Sequence, residues 1–158
     1  MDTSNLLHRA DLGGKIDRRG AEFLRILTTN PTSQNLDPIE QLQFAGGRLP
    51  SSVQTRIHQI ELIGQFAHRF VTKDSIEFLY GVIEFRRLND EGFPSGEPVF
   101  VVWIDEYGSY GVDERAGYTS MPLPDNPRAE WLFRSKVAAS LFLKVQAWLL
   151  ETAVAYGT

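Results

Sequence analysis

The chain of 158 residues contains no cysteine. Disulfides, thiolate metal sites and cysteine nucleophiles are therefore excluded together. Lack of cysteine also suits a reducing compartment, so a cytoplasmic location is the expectation. No apolar run approaches the ~20 residues that a membrane-spanning helix requires. Residues 1–30 carry no apolar core of a secretory signal, and none is expected. Positive charge is not in surplus: 16 Lys and Arg stand against 20 Asp and Glu, a net charge of -4. That balance disfavours nucleic acid, whose partners are usually basic. The sequence also lacks a phosphate loop, an H-E-x-x-H pair and a G-x-S-x-G elbow. On these grounds no cofactor and no metal is expected. Internal repeats and low-complexity segments are missing as well.

What is present suits one packed core. Hydrophobic residues make up 42% of the chain. A domain of this length buries about 68–70% of its unfolded surface and needs no staples. Residues 1–158 are read as a single domain, with 1–14 loosely ordered because Gly13-Gly14 breaks the pattern.

The strongest element is C-terminal. Asn126 suits an N-cap, Pro127 the first helical position and Glu130 the positive end of the dipole. Gly157 is the natural stop after Tyr156. At about 100° per residue, Trp131, Val137, Ala138, Leu141, Phe142, Val145, Trp148, Leu149 and Tyr156 share one broad face. Leu132, Leu143 and Leu150 widen it sideways. Such a helix is central to the core, or half of it meets a second copy of the chain.

Three further helices are predicted ahead of it. Lys15 to Thr29 places Ile16, Phe23, Leu24 and Leu27 on one face, with Lys15, Arg18, Arg19 and Arg25 as a basic cluster. Asp37-Pro38 starts a short helix that Gly46-Gly47 ends. Residues 50–72 form a third, because Val53, Ile57, Ile60, Gly64, Ala67 and Val71 recur at spacings of three and four. His58, Glu61 and His68 fall on its polar arc. The two histidines are ten residues apart there, about 15 Å, too far to share a metal.

Strand character follows. Ser75 to Leu88 is apolar on both faces at its start, so coverage on both sides or an interior position is expected. Gly81 within it suggests a bulge or a crossing backbone. Asn89 to Pro98 is a loop of turn-formers with Phe93 at its tip. Val99 to Tyr107 is the clearest strand, and Gly108-Ser109 suits a two-residue turn into Tyr110 to Arg115. The predicted register sets Tyr107 opposite Tyr110. The predicted fold is α+β: N-terminal helices, a three-stranded antiparallel meander and the long C-terminal helix packed on the sheet.

The most site-like stretch is that last hairpin. Asp105, Glu106, Tyr107, Tyr110, Asp113 and Glu114 gather carboxylates and tyrosines beside a turn. Tyrosine is enriched at protein interfaces, and crowded carboxylates suit a basic partner. The expected function is thus a non-enzymatic protein-binding module that masks a basic surface, in the manner of small acidic inhibitors, immunity proteins or chaperones. Its partner is another protein, with a homodimer through the C-terminal helix as a further expectation. Two alternatives are a small hydrolase using the hairpin carboxylates and a nucleic-acid-associated protein using the basic helix. Charged hairpins also protect sheet edges from aggregation, which is the bland explanation of the same residues.

Overall fold

The computed structural model of the chain describes residues 3–29, 36–112, 119–123 and 125–154. Among these residues, two helices pack on one face of a seven-stranded antiparallel sheet whose order follows the chain. The helices are α1 (Thr3–Thr28) and α2 (Pro127–Glu151). The strands are β1 (Ala45–Gly46), β2 (Ser52–Ile57), β3 (Ile60–Lys73), β4 (Ile76–Leu88), β5 (Pro94–Ile104), β6 (Ser109–Val112) and β7 (Thr119–Ser120). The α+β class is as predicted. The three-stranded meander is not: it is the second half of a longer one.

The largest correction falls on residues 50–72. They form β2 and β3, joined at His58-Gln59. Both turn residues have positive φ, 50° and 65°, the type I′ geometry that matches strand twist. Such turns ordinarily announce themselves with Asn-Gly or Asp-Gly, and His-Gln does not. Val53, Thr55, Ile57, Ile63, Val71 and Thr72 are β-branched and prefer a pleated surface. The helical spacing of the seam was coincidental. Val53, Ile57 and Leu62 are buried in the core through strand alternation instead.

The N-terminal correction has a tertiary cause. Of the stretch predicted to be loose, residues 3–14 belong to α1, which runs through Gly13-Gly14. Gly13 lies against the His68 imidazole, and Arg9 and Asp17 bond Glu77 and His68 across the gap. The predicted helix after Asp37 amounts to a turn. Asp37 and Glu40 exchange side-chain bonds with each other's N–H groups, but no helix follows. The loop after β4 is shorter than predicted, since β5 starts at Pro94.

The core lies between the two helices and the sheet. Phe23, Ile26 and Leu27 come from α1, and Phe133, Val137, Ala138, Leu141 and Val145 from α2. They meet Ile83, Phe85, Phe100, Val102 and Ile104 of β4 and β5. Phe23, Tyr110 and Phe133 pack edge to face with centroids 4.9–6.0 Å apart, the favoured geometry for aromatic rings. Gly81 serves the crossing of α1: a Cβ there would lie 2.8 Å from Ile16 Cγ2 and 2.6 Å from the Phe66 ring. Asn126 caps α2 by accepting from Ala129 N–H, as its sequence indicates. The helix ends at Glu151, earlier than predicted, with the Thr152 N–H bonded to the Trp148 carbonyl. Tyr156 and Gly157 lie outside the described residues. Leu132, Leu143 and Leu150 of α2 are exposed rather than part of the packed face. No helix is long and apolar enough to cross a membrane among the described residues.

Candidate protein-interaction surface

The predicted site residues do not form one surface. Tyr110 is a core residue, 3% exposed, and burial pushes its phenol above the usual value. The reason is register. Ile104, not Tyr107, stands opposite Tyr110, so the connection comprises Asp105 to Gly108. Asp105 organises it: its Oδ1 accepts from the N–H groups of Tyr107 and Ser109. Gly108 takes a φ of +82° in the same turn, a conformation suited to glycine. Tyr107 is left outside, 78% exposed, and its hydroxyl bonds the Glu106 carboxylate, which raises its pKa. Asp113 and Glu114 lie outside the described residues.

The basic cluster of α1 and this acidic turn are neighbours. Arg19 donates to the Glu106 carbonyl, and Lys15, Arg18, Arg19, Glu106 and Tyr107 line a notch of about 450 Å³. The basic cluster of α1 thus stands beside the turn, and Arg19 bonds its main chain rather than a carboxylate. Arg25, the fourth member of the cluster, is spent elsewhere, on Glu22 at 2.7 Å and Glu130 at 2.6 Å. Neither a bare acidic tip nor a continuous basic stripe results.

The residues that sequence reasoning missed lie at the other end of α1. Strands β3 and β4 outrun their neighbours. β2 pairs with β3 only as far as Gln65, and β5 pairs with β4 only up to Gly81. The rest of the hairpin, residues 66–80, is a two-stranded arm closed at Asp74-Ser75 by a turn with φ of 52° and 64°. Apolar side chains are exposed on both of its faces: Phe70, 57% exposed, on the side of α1 with Arg9 over its ring, and Ile76 (57%) and Phe78 (42%) on the other. Leu6 and Leu7 at the start of α1 are exposed as well. The sequence signal was the two-sided apolar pattern at the start of β4. It identifies a strand with two apolar faces, but not whether anything covers them.

His58 and His68 serve contacts between segments far apart in the chain. His68 bonds Asp17 at 2.7 Å and His58 meets Gln146 at 3.2 Å. Among the described residues no three His, Asp or Glu side chains converge to hold a metal. Comparison of the chain with protein-family models, with curated proteins and with solved structures gives no match.

Proposed function

We propose that the protein is a non-enzymatic protein-binding module that uses the β3–β4 arm and the start of α1 as its contact surface. One observation carries this reading: Ile76 and Phe78 are exposed together on the face of the arm turned away from α1. Contiguous uncovered apolar surface on a folded chain marks an interaction site. The expectation of a basic partner rests on the net charge of -4, which favours a partner of opposite charge at a distance. The turn at Asp105 to Gly108 supports it less, because Lys15, Arg18 and Arg19 border the same notch and offset its negative charge.

Affinity capture with mass spectrometry tests the reading by comparing variants. Phe78→Ser should lose a stoichiometric partner that the wild type and Glu106→Lys both retain. If Glu106→Lys loses the partner while Phe78→Ser keeps it, the contact lies on the turn and the arm is only an exposed hairpin.

A homodimer through α2 is a second reading. Leu132, Leu143 and Leu150 form one exposed line on the helix, at spacings of eleven and seven. Light scattering at micromolar concentration should then give a dimer mass that Leu143→Glu returns to monomer.

A further inference from the structure

The arm has a bare edge as well as a bare face. Its hairpin turn has two residues, so the flanking pair Lys73 and Ile76 exchange main-chain hydrogen bonds. Alternation then spends Ile76, Phe78 and Tyr80 on β3 and turns the N–H and C=O groups of Glu77 and Leu79 outward. Beyond Gly81 these groups would bond β5, but β5 ends at Ile104 opposite Gly81. Among the described residues no main-chain group pairs with the main chain of Glu77 or Leu79 along this row, while the Glu77 side chain bonds Arg9. The opposite edge of the arm is guarded, since Arg69 Nη1 donates to the His68 carbonyl.

The helix extends where β5 does not. Asn5, His8, Arg9 and Leu12 of α1, with Phe70, Glu77 and Leu79, border a groove of about 290 Å³, at one end of which Arg9 pairs with Glu77 at 2.7 Å. Farther along α1, Lys15 lines the notch with Arg18 and Arg19. The groove therefore has a main-chain edge on one side, an apolar floor at Leu12 and Leu79, and cations at the end nearest Ile104. Arg18 has no ion pair among the described residues, and Lys15 stands 3.6 Å from Asp11 on its own helix.

We propose that this slot accepts an extended segment of another protein, which adds to the sheet as a strand beside residues 76–80. The inference rests on the arm being the contact surface. Strand addition uses main-chain bonds for affinity and alternate side chains for specificity. The segment carries apolar residues at alternate positions, to meet Leu12 and Leu79 on one face and Phe78 and Tyr80 on the other. It carries an Asp or Glu at the end beside Lys15 and Arg18, where a carboxylate gains charge-assisted bonds. Five residues in strand conformation span about 17 Å, the length of an ordinary strand.

A display library of random dodecapeptides, panned on the wild-type protein, tests the proposal. Enriched peptides should alternate apolar residues and end in an acidic one. Leu79→Pro removes one outward N–H without disturbing the bonds to β3, a position where an edge strand tolerates proline. It should weaken an enriched peptide by about tenfold, the value of one hydrogen bond lost from a desolvated edge. Thr72→Pro, on the guarded edge, should leave binding unchanged. N-methylation of alternate peptide amides tests the same bonds with the protein untouched, so a poorly folded Leu79→Pro does not obscure the answer. Lys15→Glu with Arg18→Glu should reverse the preference from Asp or Glu to Lys or Arg. Failure to enrich any peptide overturns the proposal. So does enrichment of peptides indifferent to both Leu79→Pro and N-methylation, or self-association that Leu79→Pro dissolves, which assigns the edge to a second copy. Any of these results combined with loss of a captured partner by Phe78→Ser leaves the arm as the contact surface and removes strand addition alone.

Discussion

Arg134 offers the sharpest test of how this fold is held together. Its side chain is 1% exposed and lies among apolar residues of the core, with the guanidinium 5.4 Å from the Phe44 ring centroid and 5.8 Å from that of Trp131. Burial pulls its pKa down from the usual arginine value. Among the described residues no carboxylate pairs with it, and Glu130, one turn earlier, is committed to Arg25. The guanidinium instead donates to two carbonyls: Nε to Leu27 at 3.2 Å and Nη2 to Leu42. Leu27 is in the last turn of α1, where carbonyls lack helical partners and a cation suits the dipole. One arginine thus ties α2 to the end of α1 and to the segment before β1. Two hydrogen bonds from a charged donor contribute about 1.5–3 kcal/mol each, or roughly 3–6 together. Burying the unpaired cation costs several kcal/mol, which offsets part of that gain. Arg134→Met keeps much of the volume and removes both terms. A net loss of about 2–3 kcal/mol is expected, read as a lower urea midpoint at constant slope. At this chain length the melting temperature should fall by about 4–12 °C. Arg134→Lys should be worse than Met, since it keeps a buried charge and loses the fork that reaches both carbonyls. A Met variant as stable as wild type, or more so, would refute the reasoning: desolvation would then outweigh the two bonds.

Three more outcomes follow from the packing and charge. Leu141 is fully buried and Leu143 is 67% exposed, so Leu141→Ala should cost about 2–5 kcal/mol and Leu143→Ala about 0.5 or less by denaturant titration. Gly64→Ala should destabilise by about 1–3 kcal/mol, although alanine normally improves on glycine in a strand. Its Cβ would sit 2.7 Å from the ring of Phe85, which is fully buried and has nowhere to move; a raised melting temperature would contradict this. The hydrogen bond from Arg25 holds the Glu22 carboxyl below its usual pKa. That contribution is present above the unfolded value of about 4.3 and is lost as pH falls through the lower folded value. The pair is partly exposed, so the effect should stay below about 1 kcal/mol, and Glu22→Gln should flatten the acid limb of a stability profile measured from pH 2 to 6.

Much of the fold was legible from local chemistry. Asn126-Pro127 states the start of α2 because capping and the fixed φ of proline act within a few residues. Strand β4 was legible in its run of Ile, Phe, Tyr and Val, and Gly81 announced the close crossing that α1 makes there. Spacing alone could not separate a helix from a hairpin at residues 50–72. The distinction rested on a His58-Gln59 turn whose positive φ values are held by the pairing of β2 with β3. Nor could it place the predicted contact residues. A shift of register in a hairpin moves side chains between surface and core, which is how Tyr110 came to lie against Phe23 and Phe133 while Tyr107 stayed outside. The meeting of Arg19 with Glu106, 87 positions apart, depends on the path of α1 across the sheet. The sequence by itself determined which segments are apolar, where α2 begins and that the class is α+β, because these follow from composition and local backbone preference. Only the tertiary structure decided that the strands among the described residues number seven, that the acidic turn lies beside the basic cluster of α1, and that β3 and β4 run beyond their neighbours, because each depends on where partners far apart in the chain stop.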